Sequence, residues 1–546
     1  MGKGDMITAH ETLLPSPINP ERFYELLEGY DPDKRDYIYR GFKYGFRLNC
    51  KNSAINTEPN NHNSTLKQSD VVEKLLEKET RVGRISGPHD EKPFEPFQIS
   101  PIKIIPKSII IPDKPEESNR LLHNLSYPYD DTSVNGGIPD DKKSVTYASV
   151  QDAISIIQEM GRGCYMVKSD LKSAYRMVPI HPADYPLLGM KFKGKYYYEK
   201  CLAQGAGSSC QIFEEIASAL EWILKHRYGV KYCLHILDDF LLFSFSVQAG
   251  VNYLNAWKSL CAYVGWIIAD HKTEGPVTRL TFSGIELCTE MMMARLPMDK
   301  LSRYSELLDD VHEKRKLRLK EMQKLIGCLQ FAAKVVVPGR PFIRRLIDTT
   351  IGILVPYHFV TLNAEAKKDL RMWEMFFQFH NGKTFFIKDY LTSDDLHLGS
   401  DASGFACAAV FGRDWFRLRF PIDWIKKHSI ALLELFPITV AVDLFGRRMS
   451  NKHVTFHCDN ESVTEIINKQ SSKQKTIMVL VRHLVLTCMQ YNIVFKAQHI
   501  EGCKNVLPDR LSRQFQVSAQ LLEKYGMHPK PVAVPSYLRP TAFKEL

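Results

Sequence analysis

The chain has 546 residues, of which 44% are hydrophobic and 25% charged, and this composition is that of a folded protein with several compact units. The 72 basic and 62 acidic residues leave a net charge of +10, which favours a polyanionic partner or simply serves solubility. The 12 cysteines include no CxxC pair, which argues against a disulfide framework or a zinc site. No apolar run approaches the roughly 18 residues of a membrane span, and the opening MGKGDMITAHE lacks the apolar core of a signal peptide. We therefore expect a soluble intracellular protein, in the cytoplasm, the nucleus or both.

The first 70 residues divide into two regions of unlike composition. Residues 1–50 contain an aromatic, basic stretch that is patterned as helix, and we define them as an N-terminal helical region of unknown role. Residues 51–70, KNSAINTEPNNHNSTLKQSD, have almost no apolar side chains and cannot bury enough surface to offset the entropy of ordering. We therefore predict a disordered linker at residues 51–70.

A predicted hairpin follows a short helix. Its strands are Ile102 to Ile111 and Arg120 to Leu125, which are rich in strand-forming residues and are separated by the polar turn DKPEESN. Arginine forks and lysine point charges are the groups that bind phosphate oxygens. Lys107, Lys114 and Arg120 are therefore candidates for binding a triphosphate, and a hairpin with merely solvated charges is the alternative.

Two further stretches place polar groups at predicted strand ends. In YMVKSDLKSAYRMVPIHP, residues 165–182, Asp170 follows a short β-like run and Tyr175 comes five positions later. Further on, the turn AQGAGSS separates a predicted strand from an amphipathic helix. Glycine lets the backbone approach a ligand closely, so Gln204 and Gly205 are candidate ligand contacts.

The stretch Leu234 to Ser244, LHILDDFLLFS, is predicted to be a hairpin with two adjacent carboxylates at its tip. Two carboxylates about 4 Å apart repel by about 4 kcal/mol at an effective dielectric constant near 20. A hard cation is therefore the natural reason to keep Asp238 and Asp239 ionised together. For the pair taken alone, a structural turn that merely favours aspartate is the alternative.

These pieces, in this order, resemble the palm of a reverse transcriptase. AYVGWIIADHKT and LTFSGIEL resemble two later palm elements, and RLLHNLSYP resembles a nucleotide-binding motif of the fingers. The resemblance implies that Asp170, Asp238 and Asp239 hold two Mg²⁺ ions, with Mn²⁺ as the alternative metal. It implies further roles for other residues: Lys272 as proton donor to pyrophosphate, Tyr175 as bulk against a ribose 2′-hydroxyl, Arg120 with Lys107 or Lys114 as phosphate ligands, and Gln204 and Gly205 as contacts to template and nucleotide.

Further runs resemble one branch of reverse transcriptases, the DIRS class of tyrosine-recombinase retrotransposons. These runs are ISPIKIIPKS, RLLHNLSYP, LPMDKL and LIGCLQFAAKVVVPGRPFIRRLI. The sequence departs from most reverse transcriptases at Ile236 and Leu237, where tyrosine and a variable residue are usual, and this variant is similar to that branch. The polymerase of a Ty3-like or pararetroviral element, and a polymerase of DNA repair or of an immune system, are the alternatives.

Residues 299–350 resemble a thumb. They contain two predicted amphipathic helices joined by KRKLR, and Arg340, Arg344 and Arg345 add positive charge. Basic helices beside a polymerase palm favour contact with a duplex backbone, and such contact weakens with salt. A solvated basic face is the alternative.

A second set of acidic residues begins near residue 395. Asp401 and Asp459 belong to predicted strands, Glu434 to a predicted helix, and Asp509 comes last, with His499 ten positions before it. The set resembles ribonuclease H, which implies two Mg²⁺ ions held by the four acids and assistance from His499 in proton transfer or product release. Because Pro437 lies three residues after Glu434, we expect that helix to begin late or to kink. For each acid singly, a cap or a surface salt bridge is the alternative.

The predicted fold is α+β and multidomain: a right-hand polymerase of fingers, palm and thumb followed by an α/β ribonuclease H-like domain. The predicted boundaries are 71–298 for fingers and palm, 299–350 for the thumb, 351–394 for a connection, 395–515 for the ribonuclease H domain and 516–546 for an extended C-terminal tail.

The predicted function is an RNA-directed DNA polymerase (a nucleotidyltransferase) with ribonuclease H (endonuclease) activity. Its partners would be an RNA template, a DNA primer, deoxynucleoside triphosphates and an RNA:DNA hybrid, and the retroelement resemblance adds a separate recombinase or capsid-like proteins. A decayed or domesticated copy that binds nucleic acid without catalysis is the alternative.

Overall fold

The computed structural model describes residues 14–106, 119–379, 382–384 and 390–543. The chain divides into two compact units, Met1–Ser283 and Gly284–Leu546, and each mixes helices with strands. Within the described residues, none of the helices combines the length and the apolar character that a bilayer crossing requires. The division lies 15 residues before the expected start of the thumb at 299 (299 minus 284), and the domain boundaries stay predictions.

The first unit begins with helices and continues with strands and helices in alternation. Its helices are α1 Pro20–Leu26, α2 Pro32–Tyr44, α3 Asn63–Lys67, α4 Ser69–Arg81, α5 Val134–Gly137, α6 Val150–Met160, α7 Ser209–Arg227 and α8 Val247–Val264. Its strands are β1 Ile85–His89, β2 Ile102–Pro106, β3 Asn119–His123, β4 Tyr165–Asp170, β5 Gly189–Phe192, β6 Lys195–Glu199, β7 Tyr232–Ile236, β8 Asp239–Ser244, β9 Glu274–Val277 and β10 Arg279–Phe282. Short 3₁₀ helices lie at Asp140–Lys142, Ala174–Met177, Pro182–Leu187 and Asp270–Lys272.

An antiparallel sheet with the order β7-β8-β4-β9 organises the first unit. β4 and β8 are interior strands of this sheet, and their side chains are buried along most of their length, as expected for strands covered on both faces. Trp257 of α8 is fully buried, stacks on Phe240 of β8 at 4.4 Å and donates its indole N–H to Ser169 Oγ of β4 at 3.0 Å. Helix α8 is thereby fixed to the sheet one residue before Asp170.

Two smaller strand groups accompany this sheet. β1, β6 and β5 pair antiparallel in that order, and β2 pairs antiparallel with β3. The second pair confirms the predicted hairpin for its described residues, with Ile105 opposite Arg120. Lys107 and Lys114, the predicted phosphate ligands of the same hairpin, lie outside the described residues.

Residues 51–70 differ from the disordered linker that their composition predicts. Asn61 accepts a hydrogen bond from the Ile102 backbone N–H at 3.0 Å and donates to the Lys191 carbonyl at 2.8 Å. Thr65, in α3, is fully buried and donates to the Ile102 carbonyl at 2.8 Å. The prediction weighed apolar burial alone, whereas this segment is held by polar side chains that bond the backbone of neighbouring strands.

The second unit contains the remaining elements. Its helices are α9 Met298–His312, α10 Leu319–Ala332, α11 Arg344–Asp348, α12 Ala364–Phe379, α13 Ser393–Leu396, α14 Ile422–Lys427, α15 Ile430–Phe445, α16 Glu461–Lys469, α17 Lys475–Gln490, α18 Val506–Arg513 and α19 Ala519–Lys524. Its strands are β11 Ile285–Cys288, β12 Met293–Arg295, β13 Lys316–Arg318, β14 Phe359–Thr361, β15 Lys383–Thr384, β16 Tyr390–Thr392, β17 Leu398–Ala402, β18 Ala406–Phe411, β19 Asp414–Arg419, β20 His453–Cys458 and β21 Val494–His499. Short 3₁₀ helices lie at Val337–Ile343, Gly446–Met449, Gly502–Lys504, Ser536–Leu538 and Pro540–Ala542.

Two strand groups carry the acidic residues of the second unit. β17, β18 and β19 form an antiparallel meander, and β16, β20 and β21 pair parallel. Helix α15 packs on β17, β18 and α17 and is buried on nearly every side, Glu434 included. A helix that is apolar all round must lie inside the fold.

Helix α15 bears on the expectation that it begins late or kinks at Pro437. It begins at Ile430 and runs through Pro437 to Phe445, so Glu434 lies in its second turn. The late start is therefore excluded, and a kink stays a prediction. Pro437 lacks the N–H that would bond the Leu433 carbonyl, and the surrounding packing maintains the helix despite that missing bond.

The segment after residue 515 also differs from the prediction of an extended tail. Helix α19 lies within it, and Leu521 and Leu522 pack in an apolar cluster with Trp415. Further on, the Val532 N–H bonds the Trp415 carbonyl at 2.7 Å, and Leu538 is fully buried. The proline-rich composition concealed a short helix whose two leucines pack with Trp415 of β19.

Candidate active sites

A tight turn between β7 and β8 presents the two adjacent aspartates. Ile236 pairs with Asp239 across the turn, which leaves Leu237 and Asp238 as the connecting residues. Leu237 adopts φ 54°, the left-handed conformation that a two-residue hairpin turn demands and that residues other than glycine rarely adopt. The predicted hairpin is therefore confirmed, with Asp238 at its tip.

Asp170 meets this turn from the neighbouring strand. It is the last residue of β4 and lies directly opposite Asp239 in the ladder. The Leu171 N–H then donates to the Asp238 carbonyl at 3.0 Å. Backbone pairing thus brings Asp170 beside Asp238 and Asp239, which are distant from it in sequence, as the sequence predicts.

The three carboxylates are crowded and largely withdrawn from water. Burial, and then the charge of Asp170, raises the pKa of Asp238 to about 6, and the same two causes raise the pKa of Asp239. Like charges in a partly buried site disfavour ionisation unless a cation joins them. Oxygen donors in such a group are the ligands that Mg²⁺ takes.

Lys272 supplies a positive charge to this group. Its Nζ lies 2.9 Å from Asp170 Oδ2, and the Ala269 N–H bonds the Asp170 carbonyl at 2.8 Å, which holds the 3₁₀ helix Asp270–Lys272 against the end of β4. An open cleft of about 510 Å³ lies here, lined by Lys168, Asp170, Asp239, His271, Lys272, Thr273 and Glu274. Lys168 and His271 are contributors that sequence reasoning missed.

The Gln204-Gly205 turn lies against strand β3. Gly205 has φ 141°, and a Cβ there would lie 1.9 Å from the His123 carbonyl oxygen, so only glycine fits. The His123 N–H donates to the Gln204 carbonyl at 3.2 Å. The turn is thus joined to the strand that carries the exposed Arg120.

Asn135, which sequence reasoning missed, anchors the same turn. Its amide donates to the Gly205 carbonyl at 2.9 Å and accepts from the Gly207 N–H at 2.8 Å. Asparagine is common in loops, so the sequence around Asn135 does not indicate this contact.

Tyr175 is half-buried in the 3₁₀ helix Ala174–Met177. Its ring packs on Phe213 of α7 at 5.4 Å, and its hydroxyl donates to Cys210 Sγ at 3.1 Å. Burial chiefly raises the pKa of Tyr175, and the Asp238 carboxylate adds to the rise. The charge of Asp238 therefore acts on the Tyr175 hydroxyl, and the predicted role of the ring stays a prediction.

The second unit brings three acids together. Asp401 of β17, Glu434 of α15 and Asp459, directly after β20, each offer a carboxylate oxygen, and these oxygens all lie within 4.8 Å of one another. Among the described residues this is the one group of three or more histidine, cysteine or acidic side chains with that spacing. The sequence predicts this grouping, and the structure places it where strand ends meet the helix.

Hydrogen bonds orient two of these carboxylates. The Ala402 N–H donates to Glu434 Oε2 at 3.0 Å, and Ser512 Oγ donates to Asp401 Oδ2 at 2.5 Å. Burial is the main cause that raises the pKa of Asp401 to about 6 and of Glu434 to about 9, and neighbouring carboxylates add to both. This donor set fits a divalent cation, because three acids in one partly dry pocket stay ionised together only beside positive charge.

Asp509 and His499 lie outside the group of three. Asp509 is in the first turn of α18, bonded to Arg513 at 2.5 Å, and its charge contributes to raising the pKa of Asp401. His499 is the exposed last residue of β21 and lies opposite Cys458, one residue before Asp459. Both residues border the acids, and their predicted catalytic roles stay predictions.

Known proteins resemble parts of this chain. Residues 119–287 match the family described as "Reverse transcriptase (RNA-dependent DNA polymerase)". No curated protein sequence matches the chain.

Solved structures of foamy viral protease-reverse transcriptase also show similarity. A "dRH" form in complex with double-stranded DNA has a TM-score of 0.49 at 14% identity, covering 88% of this chain and 81% of the other. A complex with RNA/DNA hybrid has a TM-score of 0.47 at 14% identity, covering 94% and 65%. A further complex with double-stranded DNA has a TM-score of 0.47 at 16% identity, covering 88% and 97%.

Proposed function

Residues 119–287 are a reverse transcriptase domain, and from this premise we propose that the chain is an RNA-directed DNA polymerase with a ribonuclease H activity. One observation carries the polymerase: Asp170 and Asp239 lie opposite each other, with Asp238 at the adjoining turn, inside the matched residues. In this proposal residues 71–298 are fingers and palm, 299–350 the thumb, 351–394 the connection and 395–515 the nuclease.

Asp170 and Asp238, with Asp239 beside them, would hold the metal of the polymerase site. Two bound Mg²⁺ ions would supply activation of the primer 3′-hydroxyl and charge neutralisation on the triphosphate. Lys272, whose Nζ lies 2.9 Å from Asp170 Oδ2, would give a proton to the leaving pyrophosphate. Arg120, together with Lys107 or Lys114, would bind the triphosphate oxygens.

Tyr175 and the Gln204-Gly205 turn would select and seat the nucleotide. The Tyr175 ring would exclude a ribose 2′-hydroxyl by bulk, so that the product is DNA. The side chain of Gln204 would contact template or sugar, and Gly205 would admit the backbone to the nucleotide.

The nuclease proposal rests on the group of Asp401, Glu434 and Asp459. These carboxylates, with Asp509, would hold two Mg²⁺ ions that activate water against the RNA strand of an RNA:DNA hybrid. His499, exposed at the end of β21, would assist proton transfer or product release. Glu434, with its pKa raised to about 9, is the member whose ionisation depends most on bound metal.

Each activity has its own test in the full chain. Asp238→Asn with Asp239→Asn should abolish primer extension on an RNA template and leave cleavage of a hybrid unchanged. Asp459→Asn should abolish cleavage of the hybrid and leave primer extension unchanged. Both assays run in one tube with Mg²⁺, and Mn²⁺ replaces it in a parallel tube.

The outcomes separate the proposal from its rivals. A wild-type chain that binds primer and template but extends nothing with either metal would identify a decayed or domesticated copy. Equal loss of both activities in the Asp238/Asp239 variant would indicate misfolding, and circular dichroism of each variant checks that. Extension on DNA template in preference to RNA would favour a repair polymerase.

We also place the chain in the DIRS class of retrotransposons, on the Ile236-Leu237 lead-in and the runs that resemble that branch. Such an element works in the cytoplasm, the nucleus or both, with a separate recombinase or capsid-like protein. Finding a tyrosine recombinase gene beside the coding sequence would support this placement, and an integrase of the Ty3 type there would contradict it.

A further inference from the structure

Cys210 connects two segments of the first unit around Tyr175. Its thiol accepts a hydrogen bond from the Tyr175 hydroxyl at 3.1 Å. Cys210 is the second residue of α7, and Tyr175 lies in the 3₁₀ helix that follows β4. One sulfur atom thus joins this 3₁₀ helix to α7.

The Tyr175 ring is held at two points on the same helix. Phe213 lies one turn after Cys210 along α7 and contacts the ring at 5.4 Å, while the thiol holds the hydroxyl end. Residues three apart on a helix lie on one face. Phe213 therefore fixes the position of the ring and Cys210 fixes its tilt.

The backbone beneath Tyr175 is fixed as well. Ser173, which precedes this 3₁₀ helix, has φ 56°, and the Arg176 N–H bonds the Ser173 carbonyl at 2.8 Å. With the backbone fixed, the ring position depends on the two side-chain torsions, which the contacts with Phe213 and Cys210 determine. Loss of the thiol would leave the hydroxyl end free to move and would remove one of the contacts that hold this 3₁₀ helix against α7.

We propose that Cys210 is a positioning residue for Tyr175 and thereby sets how strictly the polymerase excludes ribonucleotides. This inference rests on the proposed polymerase function. A bulky ring excludes a 2′-hydroxyl only if it cannot move aside, so the hydrogen bond that fixes the ring contributes to selectivity without touching the substrate.

The test compares kcat/KM for a deoxynucleotide and the matching ribonucleotide in the full chain. Cys210→Ala should raise relative ribonucleotide use roughly fivefold, the effect of losing one hydrogen bond worth about 1 kcal/mol, with deoxynucleotide kcat/KM within about twofold of wild type. Cys210→Ser keeps a hydrogen-bonding oxygen and should restore selectivity. In a Tyr175→Phe background Cys210→Ala should add nothing, because the hydroxyl is already gone.

Cys328→Ala is the matched control. Cys328 is also half-buried and its charge helps to raise the pKa of a tyrosine, Tyr304, but it lies in the second unit. Its loss should leave selectivity unchanged. Unchanged selectivity in Cys210→Ala, or an equal effect of that change in the Tyr175→Phe background, would overturn the proposal.

A second measurement does not require polymerase activity. Amide hydrogen exchange, followed by mass spectrometry, should accelerate at residues 174–178 in Cys210→Ala and not in Cys210→Ser or Cys328→Ala. If wild type extends no primer, the proposed function fails while this exchange result still decides the role of Cys210. Exchange equal to wild type in Cys210→Ala would contradict that role.

Discussion

His235 of β7 is a buried cation three residues before Asp238. Its two ring nitrogens lie 3.1 Å from Glu214 and 2.5 Å from Glu221 of α7, and Glu221 also pairs with Lys225 at 2.5 Å. Burial alone would lower the pKa of His235, but the hydrogen bonds to both glutamates raise it to about 9. The protonated ring therefore fixes the strand that presents the aspartates to the helix behind it.

This pair of contacts predicts a stability that depends on pH. The pKa of His235 rises from 6.5 to about 9 on folding, so its contribution is complete below pH 6.5 and is lost as pH rises through 9. The shift corresponds to about 3 kcal/mol in the free energy of unfolding. Urea unfolding at pH 6.5 and pH 9 measures this change in the free energy of unfolding. His235→Gln should reduce the difference in that free energy between the two pH values. A wild-type difference equal to that of the variant would contradict the assignment.

Much of the candidate polymerase site was predictable at this scale. Asp170, Asp238 and Asp239 were recognisable because carboxylates at strand ends interrupt apolar runs, and the structure brings them together. The contact of Cys210 with Tyr175 could not be predicted, because the two residues belong to different segments. Neither residue is part of a hydrophobic period that would indicate the contact. Arg345, one of the three arginines noted in the expected thumb, pairs with the fully buried Asp369 at 2.8 Å, a partner that no local sequence pattern indicates.

At the scale of elements, the Gln204-Gly205 turn depends on one glycine. Gly205→Ala places a Cβ 1.9 Å from the His123 carbonyl oxygen at φ 141°, and we expect it to cost about 2 kcal/mol or more in the free energy of unfolding and to lower primer extension. Gly327→Ala is the control, since Gly327 lies in α10 and a Cβ there meets nothing within 4 Å. That change should stabilise by about 0.5 to 1 kcal/mol. Denaturant unfolding of both variants measures the two changes in the free energy of unfolding.

Helix α18 depends on Arg417 of β19. Arg417 donates to the Leu511 carbonyl at 2.7 Å and also bonds the Gln514 carbonyl, so it satisfies backbone acceptors at the end of the helix that carries Asp509 and Ser512. We expect Arg417→Gln to raise the Mg²⁺ concentration needed for hybrid cleavage roughly tenfold, the usual effect of losing support for metal ligands. Primer extension should not change.

Arg413→Gln is the matched control for that prediction. Arg413 donates to the Gly526 carbonyl at 2.9 Å, beyond α19, which carries none of the acids. Its loss should leave the Mg²⁺ requirement of cleavage as in wild type. An equal shift in both variants would mean that β19 supports the nuclease only through general stability.

Element types were predicted better than element limits. The β7–β8 hairpin and the helices α7, α9 and α10 follow their apolar periods. Residues 51–70 and the α19 segment did not follow the prediction. Composition does not indicate hydrogen bonds from polar side chains to strand backbones, nor a contact made by two leucines. Glu434 was placed correctly in a helix, and the structure excludes the late start that was one of the two expected effects of Pro437.

For the whole molecule, the net charge of +10 and the proposed nucleic-acid partner predict strong dependence of binding on salt. Affinity for a primer–template duplex should fall by about 100-fold or more between 50 and 200 mM salt if four or more phosphates are contacted. Arg340 is exposed in the expected thumb, and Arg340→Gln should reduce the slope of log affinity against log salt by about 0.9. Fluorescence anisotropy over a salt series measures both.

Lys469→Gln is the control for the salt series. Lys469 is also exposed but is paired with Glu465, whose carboxylate would repel a phosphate. The slope of log affinity against log salt for Lys469→Gln should equal that of wild type. A slope for Arg340→Gln that matches wild type would remove Arg340 from the duplex contact.

The direct pairing of Asp170 with Asp239 also determines where the chain tolerates added length. Their separation is set by the β4–β8 register, and not by the length of chain that connects the two strands. The tight turn between β5 and β6 lies in that connecting chain, and Gly194 there faces open space. A peptide tag inserted after Lys193 would therefore lengthen the connection without separating the carboxylates, which makes this turn a suitable point for labelling the enzyme while it works.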